Sequence, residues 1–308
     1  MKRIKVEPDK KPIGLLTADW HIRADTPKCR IDNFFEAMER KIQFIIDKSN
    51  KLDIPILLAG DLGEPHQWPN WLLEWFIDHF NQLSSIPLVI PGQHDLPSHN
   101  IDLWRKSGIG VLGSDRTIKL MLGDNQEDYG FIAFSFPYKV KLDKPKKKSK
   151  YKLSIAMIHD LIIKDKSEWL DQEATKALSL LKKFPEYDLI LSGDNHKTFT
   201  VEYQGRLLVN PGSILRLKAD QINHKPSIFI WYSDNTVKQV FLPINDKVID
   251  RTYLDKKSLK ESAIKSLILD FKKGFKAKFS FEKNLEQHFK KNHTQERVQE
   301  KVWEALEK

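Results

Sequence analysis

Five short apolar runs in this 308-residue chain each end on a cluster of Asp, His, Gln or Asn. The first ends on Asp19-Trp20-His21 and the second on Gly60-Asp61. The third gives Gly92-Gln93-His94-Asp95, the fourth His159-Asp160, and the fifth Gly193-Asp194-Asn195-His196. Carboxylates mixed with imidazoles suit Mn, Fe or Zn, and one cysteine, Cys29, cannot supply the thiols of a structural zinc site. A polar cluster at one strand end is ordinary, because loops are polar anyway. Five in order, all of metal-competent types, point to a metal centre. At the end of a strand, Asp19 and His21 are expected to share a face, since residues i and i+2 do.

The elements that must position these clusters follow from periodicity. Apolar runs at 13–18, 54–59, 87–90, 131–136, 153–158, 188–192, 206–209 and 227–232, bounded by turn residues, read as buried strands. Between the first two, Ile31, Phe34, Phe35, Met38, Ile42, Ile45 and Ile46 form one stripe at helical spacing. The early β-α-β-α-β order predicts an α/β fold of layered, mixed sheets with outer helices, and the strand-rich later part predicts antiparallel additions. Ligands of such sheets bind beyond the carboxyl ends of the strands. Five strand ends would then converge on one crevice. After about Asp250 the texture turns to Lys/Glu-rich helical patterns, over 258–272 and 294–307. Residues 1–250 are therefore expected to form the catalytic domain and 251–308 a small C-terminal helical appendage.

The net charge of +9 is unevenly placed. Residues 247–308 carry a net +6 and residues 139–152 a net +7, which leaves the body mildly acidic. Two basic patches on an acidic body suit contact with a polyanion better than uniform basicity would. Residues 139–152 fall between two strands as a lysine-rich loop with tyrosines only at its ends, which fits phosphate-backbone contact rather than base stacking. Lys146, Lys147 and Lys148 are its densest stretch, and Arg216 after the Pro-Gly-Ser turn could face phosphate too. The first apolar run is cut by Asp19, too short for a signal peptide or membrane span. With a lone cysteine, these features lead to the expectation of a cytoplasmic protein with no membrane contact.

The ordered set Asp-x-His, Gly-Asp, Gly-Gln-His-Asp, His and Gly-Asp-x-His resembles the calcineurin-like metallophosphoesterases over roughly residues 13–245. Within them the chain is similar to the SbcD-type nuclease subunits of double-strand-break-repair nuclease–ATPase complexes, on the GDLGEPH and PGQHDLP stretches and NPGSILR at 210–216. The resemblance implies two divalent metal ions, Mn2+ foremost with Mg2+ as the alternative. One would be held by Asp19, His21, Asp61 and His196. The second would share Asp61 and take Gln93, His159 and Asp194. Such a pair lowers the pKa of a water and clamps phosphate oxygens for in-line attack. His94 matches the family's general acid.

The chain departs from the pattern twice. Gln93 stands for the usual Asn and Asp194 for the first His of the last motif. Together the longer Gln and the shorter Asp would close a harder, more oxygen-rich site, or else leave one that fills only with substrate. A further His of the family is replaced by Glu64, with His66 two positions on as an assisting group. His99 is expected to support the site rather than ligate. The stripe of Trp68, Trp71 and Trp75 reads first as core packing. In the family, helices following the second and third motifs make the dimer contact, so its exposed remainder would serve a homodimer. The resemblance also implies DNA as substrate and an SbcC-like SMC-type ATPase as partner, gripped by the helical tail. A nucleotide or small-molecule phosphodiesterase, and a non-catalytic binding module on a phosphoesterase scaffold, are the alternatives.

Overall fold

Leu15 and Leu16, adjacent in one strand, bury into different cores, and that alternation sets the architecture. The computed structural model describes residues 10–145, 152–164, 174–250, 252 and 281–306. The chain divides into two compact units, residues 1–253 and 254–308.

The first unit holds two six-stranded sheets. One is built from β1 (Pro12–Thr17), β2 (Ile56–Ala59), β3 (Leu88–Ile90) and β4 (Lys119–Leu120), with β13 (Ser227–Tyr232) and β14 (Val237–Phe241). The other is built from β5 (Asn125–Asp128), β6 (Phe131–Phe136), β7 (Leu153–His159), β10 (Leu189–Gly193), β11 (Phe199–Tyr203) and β12 (Arg206–Asn210). A small parallel pair, β8 (Ile162–Ile163) and β9 (Thr175–Lys176), lies apart from both. The sheets face one another across a core of Leu16, Leu57, Leu88, Phe131, Ile155, Leu189 and Trp231. The outer face of the first sheet is covered by α1 (Phe34–Leu52), α2 (Asn70–Phe80) and α3 (Gly108–Asp115). The outer face of the second is covered by α4 (Ala177–Lys183). This is the predicted α/β sandwich with outer helices.

Each of the eight apolar runs is a strand. The first sheet runs β1, β2, β3 and β4 in parallel, and β13 and β14 are the antiparallel additions. The later strands differ from expectation, because β6, β7, β10 and β12 pair in parallel. Only the edge strands β5 and β11 are antiparallel there. Parallel order sends β7 and β10 in the same direction, and this puts His159 and Asp194 at one edge.

The helix α1 begins at Phe34, where the Asn33 side chain accepts from the Glu36 N–H at 3.3 Å, an N-cap bond. Phe34, Met38, Ile42, Ile45 and Ile46 are buried on its stripe. Ile31 precedes the cap and is 66% exposed, so it does not belong to the stripe. On α2 the core reading holds for Leu72, Phe76 and Phe80, while Trp71 remains 48% exposed. Among the described residues no helix is long and apolar enough to cross a membrane. In the second unit two helices, Phe281–Lys291 and Glu296–Leu306, place the rings of Phe289 and Trp303 6.3 Å apart. Leu267, Ile268 and Phe271 of the tail lie outside the described residues.

Candidate metal centre

Each cluster is aimed by the loop after its strand, and the loops are tied together. Beyond β1 and β2 the chain runs as a paired track: Asp19 N–H donates to Gly60 O at 3.0 Å and His21 N–H to Asp61 O at 2.9 Å. Asp95 is fully enclosed. Its carboxylate accepts from Leu62 N–H at 3.2 Å, Gly63 N–H at 2.9 Å and Gly92 N–H at 2.9 Å, joining the loops after β2 and β3. Asn210 does the same for the last loop, donating to Asn195 O at 2.5 Å and Lys197 O at 2.7 Å. The NPGSILR stretch thus latches the loop that carries His196.

Asp19, His21, Asp61 and Asp194 all have positive φ, between 47° and 79°. Left-handed backbone is costly for residues with a Cβ and is retained where surroundings over-determine it, as at functional sites. It corrects the expectation for Asp-x-His. β1 ends at Thr17, so Asp19 and His21 converge through a strained turn and not through strand alternation. Two glycines make the approach possible. A Cβ on Gly60 would lie 2.0 Å from His159 Nδ1, and one on Gly92 2.1 Å from Asp61 Oδ1.

The result is a buried cluster of opposed electron-rich atoms. Ligand atoms of Asp19, His21 and His196 lie within 4.8 Å of one another, as do those of His21, Asp61 and His94, and of Asp19, Asp61 and His159. His21 Nε2 and His196 Nε2 are 3.0 Å apart. The His159 Nδ1–H donates to Ala59 O at 2.8 Å, which turns Nε2 to within 2.6 Å of the Gln93 carbonyl oxygen. Asp19 Oδ2 and Asp61 Oδ2 are buried with no hydrogen-bond partner, and Asp61 Oδ2 has only the looser ion-pair contacts with His159 Nε2 at 3.5 Å and His21 Nε2 at 3.8 Å. An orphaned carboxylate oxygen in the interior is expensive unless a cation meets it. These residues therefore fit divalent metal ions, and the donor set of carboxylate, imidazole and amide oxygen fits first-row transition ions.

The electrostatics agree. Burial pushes the Asp19 carboxyl up to about 7, against the pull of His159. Burial opposes charge on His159, but the Asp61 carboxylate beside it outweighs this and its pKa rises to about 10. His159 and the neighbouring histidines hold Asp61 below the usual carboxylate range in spite of burial. Burial and the adjacent His21 take His196 down to about 3. Without metal, protons on Asp19 and His159 stand in for missing positive charge.

Five of the seven anticipated ligands, Asp19, His21, Asp61, His159 and His196, come together in these clusters, with His94 beside them. Gln93 reaches the same place through its contact with His159. Asp194 does not join the clusters. Its side-chain Oδ1 accepts from the Gln93 amide N–H at 2.5 Å, and its backbone N–H donates to Asp19 Oδ1 at 2.9 Å. No hydrogen bond, ion pair or ring contact among the described residues joins the His66 imidazole to the cluster; its carbonyl accepts from Gly108 N–H. Glu64 holds that position instead, 3.4 Å from His21 Nδ1. Contact with His21 lowers the Glu64 carboxyl to about 2. Arg216 does not face solvent. It is 5% exposed and donates to Asn245 O at 2.6 Å and Ile222 O at 3.4 Å, which fastens the segment after the Pro-Gly-Ser turn. Lys146, Lys147 and Lys148 lie outside the described residues. His99 stands at the rim, its ring 6.3 Å from His94 and edge-on to Tyr138 at 6.1 Å.

From the cluster a groove of 1170 Å³ opens outward, with His94, Asp194 and His196 at its head. Pockets for small ligands usually span about 300–1,000 Å³, so the groove is large for one.

Solved structures similar to the chain include a novel archaeal phosphodiesterase, at 12% identity over 74% of this chain and 99% of that one, with a TM-score of 0.40. The protein TT1561 of Thermus thermophilus is similar at 12% identity over 76% and 100%, with a TM-score of 0.46. Zinc-complexed Vps29 of Entamoeba histolytica is similar at 17% identity over 75% and 99%, with a TM-score of 0.35. No curated protein matches the sequence. Residues 15–198, which contain every strand end of the buried cluster, match the family model described as calcineurin-like phosphoesterase, and the chain belongs to that family.

Proposed function

We propose that the protein is a metal-dependent DNA nuclease that hydrolyses phosphodiester bonds with two metal ions, in DNA repair or processing. The observation that carries the reading is the pair of buried carboxylate oxygens without hydrogen-bond partners, Asp19 Oδ2 and Asp61 Oδ2, at the head of a groove larger than a small phosphodiester needs. Asp19, His21, Asp61 and His196 hold one ion in this reading. Asp61, Gln93 and His159 hold the second, with Asp194 steadying Gln93. Mn2+ is the preferred ion, because two carboxylates, an amide oxygen and imidazoles make a mixed set without thiolate. When bound, the ions supply an activated water and neutralise phosphate charge.

The chain's own groups do the rest. Asp61 and Asp19 fix the charge of the site. Burial holds the His94 pKa below that of an ordinary imidazole, and its backbone N–H donates to Asp61 Oδ1 at 2.8 Å, which fixes the loop. From the rim of the cluster the protonated form of His94, which that lowered pKa makes the minority form near neutral pH, delivers a proton to the leaving oxygen. Glu64, beside His21 Nδ1, orients that imidazole as carboxylate partners of ligating histidines do.

The test uses full-length protein with linear DNA and Mn2+. Cleavage that chelator abolishes and Mn2+ restores supports the reading; hydrolysis of an aryl phosphodiester with no DNA cleavage would replace it with the small-molecule alternative. The similarity to SbcD-type subunits extends the proposal to an SbcC-like SMC-type ATPase bound by residues 251–308 and to a homodimer formed through the exposed side of α2 around Trp71. A truncation after Asp250 should then keep aryl phosphodiester hydrolysis and lose co-purification with that ATPase.

A further inference from the structure

Two unlike sets of residues line the groove. The first holds the rings of His99 and Tyr138; the second wall is the segment from Lys218 to Lys225 with Gln239 and Phe241 of β14. Sequence reasoning placed DNA contacts elsewhere, on the lysine loop and Arg216. The second wall carries the chemistry those sites were meant to supply. Lys218 and Lys225 are exposed, and among the described residues neither is ion-paired. Phe241 is 57% exposed on the edge strand, and Gln239, two residues earlier, shares its face. Asp220, exposed on the same segment, offsets part of the lysines' charge, and the exposed phenyl ring beside them is a stacking platform for a flat, uncharged ring.

This wall is also rigidly joined to the metal centre. Gln221 Oε1 accepts from Leu217 N–H at 2.7 Å and from Lys218 N–H at 3.0 Å. Its Nε2 donates to Ser213 Oγ at 3.1 Å and lies 3.5 Å from His196 Nδ1. His224 Nε2 is 2.7 Å from Ser213 O. A strand held on Lys218 and Lys225 is thereby registered against the residue that ends the cluster.

We infer that this wall binds the single-stranded stretch of DNA flanking the scissile phosphate, with its backbone on Lys218 and Lys225 and one unpaired base on Phe241. The inference rests on the nuclease reading and names the form of DNA it takes. Bases in a duplex are already stacked on their neighbours, so a lone ring on one groove wall can meet only an unpaired one. Stacking of this kind tolerates any base, which fits cleavage without sequence preference.

The test compares wild type, Phe241→Ala, Phe241→Tyr and the double variant Lys218→Ala/Lys225→Ala as full-length chains with Mn2+. Substrates are a single-stranded oligonucleotide, the same sequence as duplex, and an aryl phosphodiester that reports folding and chemistry. Phe241→Ala should lower the single-strand to aryl-diester ratio of kcat/KM about tenfold, and Phe241→Tyr should restore it. The lysine variant should flatten the dependence of log KM on log salt by about 1.4, two phosphates at ~0.7 each. Unchanged ratios and salt slope in all variants, while wild type cleaves the single strand, would overturn the wall and leave the nuclease reading intact. Wild type that hydrolyses the aryl diester but no DNA would overturn both.

Discussion

The two halves of the metal centre are built on opposite principles. On the side of Asp19, His21 and His196, the two imidazole Nε2 atoms meet at 3.0 Å, and Asp19 Oδ2 is left without a partner. On the side of His159 and Asp194, Gln93 spans the gap. Its oxygen meets His159 and its N–H meets Asp194, so each group is already answered. The difference teaches that a buried polar site can await a cation or answer itself. In the first half a proton on Asp19 is the alternative to a metal ion. The second must surrender an amide–carboxylate hydrogen bond, or keep it and use the amide oxygen alone.

Asp61 belongs to both halves, and its loss gives the largest effect. Asp61→Ala should lower manganese binding at both positions and bring phosphodiester hydrolysis to the level of metal in buffer. Calorimetric titration with Mn2+ checks this, and a variant that still binds two ions tightly would break the comparison. Next is His94→Ala, for which kcat should fall by about 10²–10⁴-fold while manganese stoichiometry stays that of wild type. If stoichiometry falls as well, His94 is a third imidazole of the first half and not a proton donor.

Asp194 sharpens the contrast between the halves. Because it acts through Gln93, Asp194→Ala should weaken one manganese site by about 10–100-fold, the range for a group that orients a ligand, and leave the other unchanged. Electron paramagnetic resonance of bound Mn2+ separates the two populations. Asp194→His, which restores the family residue, should bring no gain at limiting metal, since Gln93 keeps its longer reach. A gain would mean that the second half is degenerate.

The last effect is one of pH. Metal must displace the proton of His159, whose pKa is raised to about 10, and that of Asp19, raised to about 7. Both protons are held at pH 6, and both compete with the cation. Manganese affinity should therefore rise with pH between 6 and 8, by up to about tenfold per unit for each proton displaced. Proton release is measured by titration in buffers of different ionisation enthalpy, and affinity independent of pH would contradict it.

The strand ends were legible because burial on both faces writes continuous apolar runs, and each run stops where the chain must turn polar. Asn125–Asp128 (NQED) carries no apolar residue and could not be read as a strand. Two-residue strands such as Lys119–Leu120 leave no period to detect. Val237–Phe241, VKQVF, does not alternate, both its faces are partly wet and the run is short. At the site, the identities of the ligand-type residues were visible and their orientations were not. Nothing in the letter Gln tells which end of the amide faces which neighbour. Apart from Gly92, the backbone groups that Asp95 and Asn210 bind are remote in sequence, so no spacing betrays them. Arg216 shows the limit of counting charge, since a cation's donors can be spent inside the protein.

The three N–H bonds gathered by Asp95 have a consequence for motion. Loops usually open piecemeal, each at its own small free energy. Here the amides of Leu62, Gly63 and Gly92 share one acceptor group, so neither loop can swing out without releasing the other. Amide hydrogens at these three positions should exchange together and slowly for loop residues. The centre would then behave as a single breathing unit, in which Asp61 and His94 keep their separation even when the surrounding surface fluctuates.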